Sequence, residues 1–311
     1  MHRLQLHFKS EIYDLEELKQ GFTNKVYKFR VKNNWYIYKE YSQTNENEIS
    51  VLTKISIPSI VYNHPSYRIE EYLENKELDY IEDMKDIILA MKEMHALDSE
   101  NVMTFESLVE CLYQDAITNI KCKAVGEEKV CLKNLNNAEE YVRQTLGILR
   151  DNALKLYKEN EYKEGLCHND LQPNNMLKTQ NKVVIIDYEF ATKGDVLFDI
   201  ANLFCETHID YKNKTCVYKA ELGYKEEHEI DFLKTYFEGQ EVNIEDIRMR
   251  INNFKLISHF IWFLWAIPKL TEHTNEEFKY DNYAKDRLHA LIESGFVCLE
   301  EAYMFNNILF K

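Results

Sequence analysis

The sequence predicts a two-lobed α+β chain, with a small β-rich N-terminal lobe and a large, mainly α-helical C-terminal lobe. Two observations carry this. Up to residue 72 the apolar positions sit in short runs rich in β-branched and aromatic residues, punctuated by turn residues. From residue 80 onward they recur at helical spacing. The low counts of four prolines and eight glycines suit a helix-rich large lobe. The boundary is expected near residue 73, giving lobes over 1–73 and 74–311.

Taken in order, 22–31 and 35–41 read as strands joined by a turn at Asn33-Asn34. Residues 45–54 read as a helix. Strands return at 59–62 and 67–72, around the Asn63-His64-Pro65-Ser66 turn. Residues 81–97 place Ile87, Leu89, Ala90, Met91 and Met94 at helical spacing, and 107–117 and 137–158 continue that way. The charged stretch 121–134 has weak periodicity and reads as a surface loop or insertion. Helices are expected at 197–205, 227–238, 244–265 and 283–306, with Pro268 ending or kinking the third.

Bulk properties narrow the function. The net charge of −15 offers no basic face to nucleic acid. The most apolar stretch, 260–267, is too short to span a bilayer, and the first residues carry no long apolar run, so neither a membrane span nor a signal peptide is expected. Seven scattered cysteines without a C-x-x-C pair fit reduced thiols and a cytoplasmic location, with Cys167 and Cys205 as buried filler.

The chemistry concentrates in Cys167-His168-Asn169-Asp170-Leu171-Gln172-Pro173-Asn174-Asn175, followed by Val183-Val184-Ile185-Ile186-Asp187-Tyr188-Glu189. An acid stands five residues before an amide, and a second acid ends an apolar strand. Phosphoryl transfer needs a carboxylate to accept the substrate hydroxyl proton. It also needs an amide and another carboxylate to hold the magnesium that neutralises the phosphates. Asp170, Asn175 and Asp187 supply those groups in order: Asp170 as base, Asn175 and Asp187 as oxygen ligands for a hard cation. The form is H-x-D-x-x-x-x-N, so the substrate need not be a protein. Such a site also needs a cation for the ATP phosphates and a helix carboxylate to hold it. Lys39 and Glu48 fit, with Glu46 as the second candidate carboxylate. Taken alone, each reads as an ordinary strand lysine or helix glutamate. Gly21-Phe22-Thr23-Asn24-Lys25-Val26-Tyr27 lies where a phosphate-covering loop belongs, although one glycine fails the G-x-G-x-x-G pattern; Thr23 and Asn24 can present polar groups to phosphate. The backbone around Glu71, Tyr72 and Leu73 is expected to hydrogen-bond adenine.

These residues resemble the choline/ethanolamine kinase family, a branch of the fold shared by protein kinases and aminoglycoside phosphotransferases. His168-Asn169-Asp170-Leu171-Gln172 with Asn175 resembles that family's H-N-D-x-Q-x-x-N loop, and Ile186-Asp187-Tyr188-Glu189-Phe190 its I-D-[FY]-E-[YF] segment. Phe198-Asp199-Ile200-Ala201-Asn202-Leu203-Phe204-Cys205-Glu206 resembles F-D-I-[GA]-N-x-F-x-E. Ser258-His259-Phe260-Ile261-Trp262-Phe263-Leu264-Trp265 resembles S-H-F-x-W-x-L-W, and Gly21-Phe22-Thr23-Asn24-Lys25 resembles G-[IF]-[TS]-N-K. The resemblance runs in consistent order from Gly21 to Leu288 and skips 99–162.

The resemblance implies a bilobal protein-kinase-like fold and ATP- and magnesium-dependent phosphorylation of the choline hydroxyl. Ethanolamine or dual use comes second, another aminoglycoside-type phosphotransferase or a nucleotide-binding pseudokinase further behind. It implies a substrate site of Gln172, Glu206, Tyr211, Trp262, Trp265, Tyr280 and Tyr283. A quaternary ammonium donates no ordinary hydrogen bond, so aromatic faces and nearby negative charge are what can grip it. Trp262 and Trp265, three apart, share a helix side, as core-packing pairs also do. Choline kinases carry Trp just after the acid, where this chain has Thr207. The partner expectations are a small-molecule substrate, no nucleic acid and no membrane span, with a homodimer allowed.

Overall fold

The structure is a computed structural model describing residues 4, 7–18, 25–41, 46–120, 132–211, 217–270 and 279–310. Its N-terminal part is a five-stranded antiparallel sheet in the order β1-β2-β3-β5-β4: β1 Tyr13–Leu18, β2 Lys25–Val31, β3 Asn34–Glu40, β4 Ile60–His64 and β5 Tyr67–Glu71. Helix α1, Glu46–Leu52, lies between β3 and β4 in the chain. The period-two alternation of a pleated strand sorts the side chains. Phe29, Val31, Tyr38, Tyr67 and Ile69 pack together in a core. Val26, Lys28, Ile37, Lys39 and Glu70 line a cleft. Register places Val26 opposite Lys39 and Lys39 opposite Arg68, so one row across three strands sets the cations of β3 and β5 side by side.

The remaining chain is mainly helical: α2 Met84–His95, α3 Phe105–Asn119, α4 Leu132–Glu159, α5 Val196–Glu206, α6 Glu226–Tyr236, α7 Ile244–Lys269, α8 Tyr280–Glu293 and α9 Leu299–Leu309. Between α4 and α5 come β6 Glu164–Cys167, a 3₁₀ turn Pro173–Asn175, the hairpin β7 Met176–Lys178 and β8 Val183–Ile185, and β9 Thr192–Asp195, which pairs with β6. A short pair, β10 Ile209–Asp210 and β11 Val217–Tyr218, follows α5.

Helix α7 organises this lobe, packing against α3, α4, α5, α6 and α8. Asn243 starts it, its side chain accepting from Glu245 N–H at 3.0 Å. Apolar residues lie all round it, as a helix buried on every side requires; Phe254, Ile257, Phe260, Ile261, Phe263 and Leu264 are fully buried. Pro268 sits in its last turn and the helix stops one residue later. None of the described helices is long and apolar enough to cross a membrane.

Three departures have physical causes. Strand β1, Tyr-Asp-Leu-Glu-Glu-Leu, lacks strand-like alternation because it is an exposed edge paired only with β2. The helix expected over 283–306 is two helices. Gly295 takes the left-handed conformation (φ +74°), and Gly295 N–H and Val297 N–H bond back to Ile292 O and Leu291 O, both at 3.0 Å. Buried Val297 then seals the stop. Of the loop expected over 121–134, residues 132–134 are already helix α4, and 121–131 lie outside the described residues.

Candidate active site

The 168–175 loop is built from below. The Asp199 carboxylate, fully buried in the first turn of α5, accepts His168 N–H at 2.7 Å and Asn169 N–H at 2.6 Å. One turn on, Asn202 Oδ1 accepts Leu171 N–H at 2.8 Å. Asn169 can therefore hold a left-handed backbone (φ +66°), which turns Asp170 outward. The 3₁₀ turn returns Asn175 to the same place, its NH₂ donating to Asp170 O at 2.9 Å and to Asp170 Oδ2 at 2.8 Å. Gln172 Nε2 donates to the same carboxylate at 3.3 Å.

Asp187 arrives from the other side. Ile186 N–H donates to Asn175 O at 2.9 Å, continuing the β7–β8 hairpin, and Asp187 then adopts φ +66°. His168 joins the two stretches. Its Nε2 lies 2.9 Å from Ile186 O and its Nδ1 accepts Asp170 N–H at 3.3 Å, which assigns the ring proton to Nε2. Burial lowers the His168 pKa, favouring this neutral form, and its role is support.

Two neighbouring carboxylates are driven apart electrostatically. Burial, then the charge of Glu206, pushes Asp170 up to about 8. Burial also acts on Asp187, but Lys39 Nζ at 3.0 Å from its Oδ1 outweighs it and holds Asp187 below its usual range. Asp187 is thus a fixed anion, while Asp170 can exchange a proton near neutral pH. Glu189, raised to about 8 by burial and then by Asp187 and Asp170, stands beside them.

Lys39 and Glu48 need a correction. The side chain in ion-pair contact with Lys39 is Asp187. Glu48 receives Arg68 Nη2 at 2.9 Å, and Arg68 also pairs with Glu70. Glu48 acts on Lys39 through its charge, with Arg68 as the intervening cation. Sequence spacing cannot reveal this, because Arg68 joins the row by strand pairing. Thr23 and Asn24 lie outside the described residues.

The far end of the cleft is aromatic. Trp262 and Trp265 meet edge to face, centroids 5.5 Å apart at 71°. Phe190 closes on Trp262 at 5.1 Å and Tyr283 on Trp265 at 5.9 Å. Although only 3% exposed, Trp262 still lines the cleft. Two expected substrate residues stand behind this wall. Tyr280, 5.8 Å from Trp265, backs it without lining the cleft. Glu206 is not an open acidic wall: it is fully buried and holds Arg287 and the Tyr211 hydroxyl. Arg287 also donates to Tyr283 Oη at 2.8 Å. Thr207 turns its hydroxyl onto Phe204 O at 2.8 Å and contributes no wall.

Both ends belong to one cleft of about 420 Å³. Lys39, Glu71, Leu73, Asp170, Gln172, Asn175 and Asp187 line it with Tyr211, Trp262, Trp265 and Tyr283. Glu189 and Phe190 also line it. Together with Asp199, Asn202 and Arg287, they are the members that motif reading left without a role. Four of these five lie inside quoted motifs; Arg287, four residues after Tyr283, had no local signal.

The family model described as choline/ethanolamine kinase matches residues 15–292. The chain belongs to the choline/ethanolamine kinase family. A probable choline kinase 2 of Arabidopsis thaliana is 31% identical over 240 residues, 71% of this chain and 63% of that relative, so the match spans under two thirds of the plant protein. The ethanolamine kinase of Plasmodium vivax superposes with a TM-score of 0.70 at 23% identity, over 92% of this chain and 84% of that one. APH(2'')-IIa, solved as a ternary complex with streptomycin and ATP, gives 0.57 at 16%, over 98% and 96%. These two likenesses establish the bilobal protein-kinase-like fold.

Proposed function

We propose that this chain transfers the terminal phosphoryl group of ATP to the hydroxyl of choline, giving phosphocholine. One observation carries the reading: the Trp262/Trp265 aromatic wall opens into the same cleft as Asp170, Asn175 and Asp187. That wall suits a trimethylammonium, which offers charge and apolar surface but no N–H.

Asp170 is the base. With its pKa near neutrality it can take the alcohol proton as the oxygen attacks phosphorus, while Asn175 and Gln172 orient its carboxylate. Lys39 is the cation for the phosphates, and Thr23 and Asn24 are the polar residues expected to contact them. The backbone at Glu71 and Leu73 receives adenine. Magnesium fits the donor set: Asn175 has committed its NH₂ to Asp170 and keeps an amide oxygen to offer, and Lys39 keeps Asp187 anionic. Bound there, the ion would neutralise the phosphates. Tyr211, Tyr283, Trp262 and Trp265 contact the cationic tail. Glu206 acts through Tyr211 and Arg287, and Tyr280 backs Trp265.

Ethanolamine, alone or beside choline, is the second reading. Its support is the company of family members named for ethanolamine, together with Thr207 in place of a tryptophan wall. Initial rates with ATP and magnesium, against choline, ethanolamine and an aminoglycoside panel, test the reading. Choline turnover above the others is expected. Turnover confined to aminoglycosides, or nucleotide binding with no turnover, overturns it.

A further inference from the structure

The segment after Asp187 is held from both lobes at once. Its turn closes with Ala191 N–H on Tyr188 O at 3.1 Å. The two carbonyls that follow Glu189 are each taken by an asparagine amide. Asn169, in the 168–175 loop, donates to Phe190 O at 2.7 Å. Asn47, in the first turn of α1, donates to Ala191 O at 2.6 Å. The other end of the Asn47 amide is also used, since its Oδ1 accepts Met103 N–H at 2.9 Å from the stretch leading into α3. Both partners of this half-buried amide are main chain of the large lobe, and together they fix its orientation. The next residue, Glu48, reaches in the opposite direction to Arg68 in the strand row beside Lys39. Two adjacent residues of α1 thus bind one the large lobe and the other the small-lobe sheet.

We propose that Asn47 is a positioning residue for phosphoryl transfer, bridging helix α1 to the segment that carries Asp187 and Glu189 and so fixing the cleft closed with those carboxylates facing Asp170. The inference rests on the phosphotransferase reading above. No motif marks Asn47; it is legible only because the fold sets α1 against residues 191 and 103. Removing the donor frees Ala191 O and lets the 187–192 turn move independently of the small lobe.

The test compares Asn47→Ala, Asn47→Asp and Ser50→Ala in the full chain. Ser50 is the control: its hydroxyl joins the same interface, donating to Asn101 O at 3.0 Å, but does not touch the turn. Asn47→Asp keeps the acceptor for Met103 N–H and sets a carboxylate against Ala191 O. With no nucleotide or alcohol present, backbone hydrogen exchange over 187–192 should quicken about tenfold in both Asn47 variants, the size of one lost hydrogen bond, and stay at the wild-type rate in Ser50→Ala. In turnover with choline, kcat should fall about tenfold in both Asn47 variants while the KM for choline stays within about twofold. The proposal is overturned by unchanged exchange in Asn47→Ala, by an equal effect in Ser50→Ala, by wild-type behaviour of Asn47→Asp, or by a lowered Tm with kcat intact. A wild-type chain that turns over no amine alcohol would sink the substrate reading alone; the exchange comparison still decides the bridge.

Discussion

The two ends of the cleft are built on opposite plans. At the proposed phosphate end, Asp170, Asn175 and Asp187 come from one stretch of 18 residues. They are tied by short main-chain links such as Ile186 N–H to Asn175 O. At the proposed alcohol end, Phe190, Tyr211, Trp262 and Tyr283 come from four separate places, and the charge beneath them is a buried pair whose members stand 81 residues apart. The polar set is written locally, while the aromatic set is assembled by the fold. The first should fail in turnover, and the second in affinity and stability.

The largest effect tests the phosphate end. Asp170→Asn should lower kcat by about 10²–10⁴-fold while the Kd for ATP stays near wild type, measured by steady-state kinetics and nucleotide titration. Turnover near the wild-type rate would remove Asp170 as base. Next comes the pair under the alcohol end. Arg287→Leu leaves the Glu206 carboxylate buried without its cation and should cost about 3–5 kcal/mol of stability in denaturant unfolding. A loss under about 1 kcal/mol would mean that the pair is not held as described.

Smaller effects sharpen the contrast. Trp262→Ala or Trp265→Ala should raise the KM for choline about tenfold while leaving the KM for ATP within about twofold, since a cation–π contact contributes about 0.5–2 kcal/mol. Equal effects on both substrates would count against a cage. The smallest effect is in pH. An Asp170 pKa of about 8 predicts a kcat/KM for choline that rises through that pH. Gln172→Ala removes a hydrogen bond that lowers this pKa and should move the limb upward. The linkage has the opposite sign for stability. Asp170 binds its proton more tightly folded than unfolded, so its contribution is full below the ordinary 3.8 and is lost as pH rises through about 8.

How much was legible follows the same division. The strand–helix switch near residue 73 and the spacing of Asp170, Asn175 and Asp187 are local signals. Edge strand β1 was hidden because its exposed Glu16 and Glu17 carry no alternation, and only pairing with β2 makes it a strand. The helix break at Gly295 was there to be read in Ser294-Gly295, but the apolar period carried across it. Glu206 was expected among the substrate residues because its neutralising Arg287 is remote in sequence, and Glu48 read as the partner of Lys39 because strand pairing alone brings Arg68 between them. For these two acids a partner remote in sequence decided the outcome.

The Glu206–Arg287 contact also limits how far the protein can be shortened. Any version trimmed before α8 would keep Lys39, Asp170, Asn175 and Asp187. Yet it would strand a bare carboxylate in the floor beneath the tryptophans, and it would lose Tyr283 with it. A fragment that keeps the aromatic end of the cleft intact therefore has to reach past residue 287.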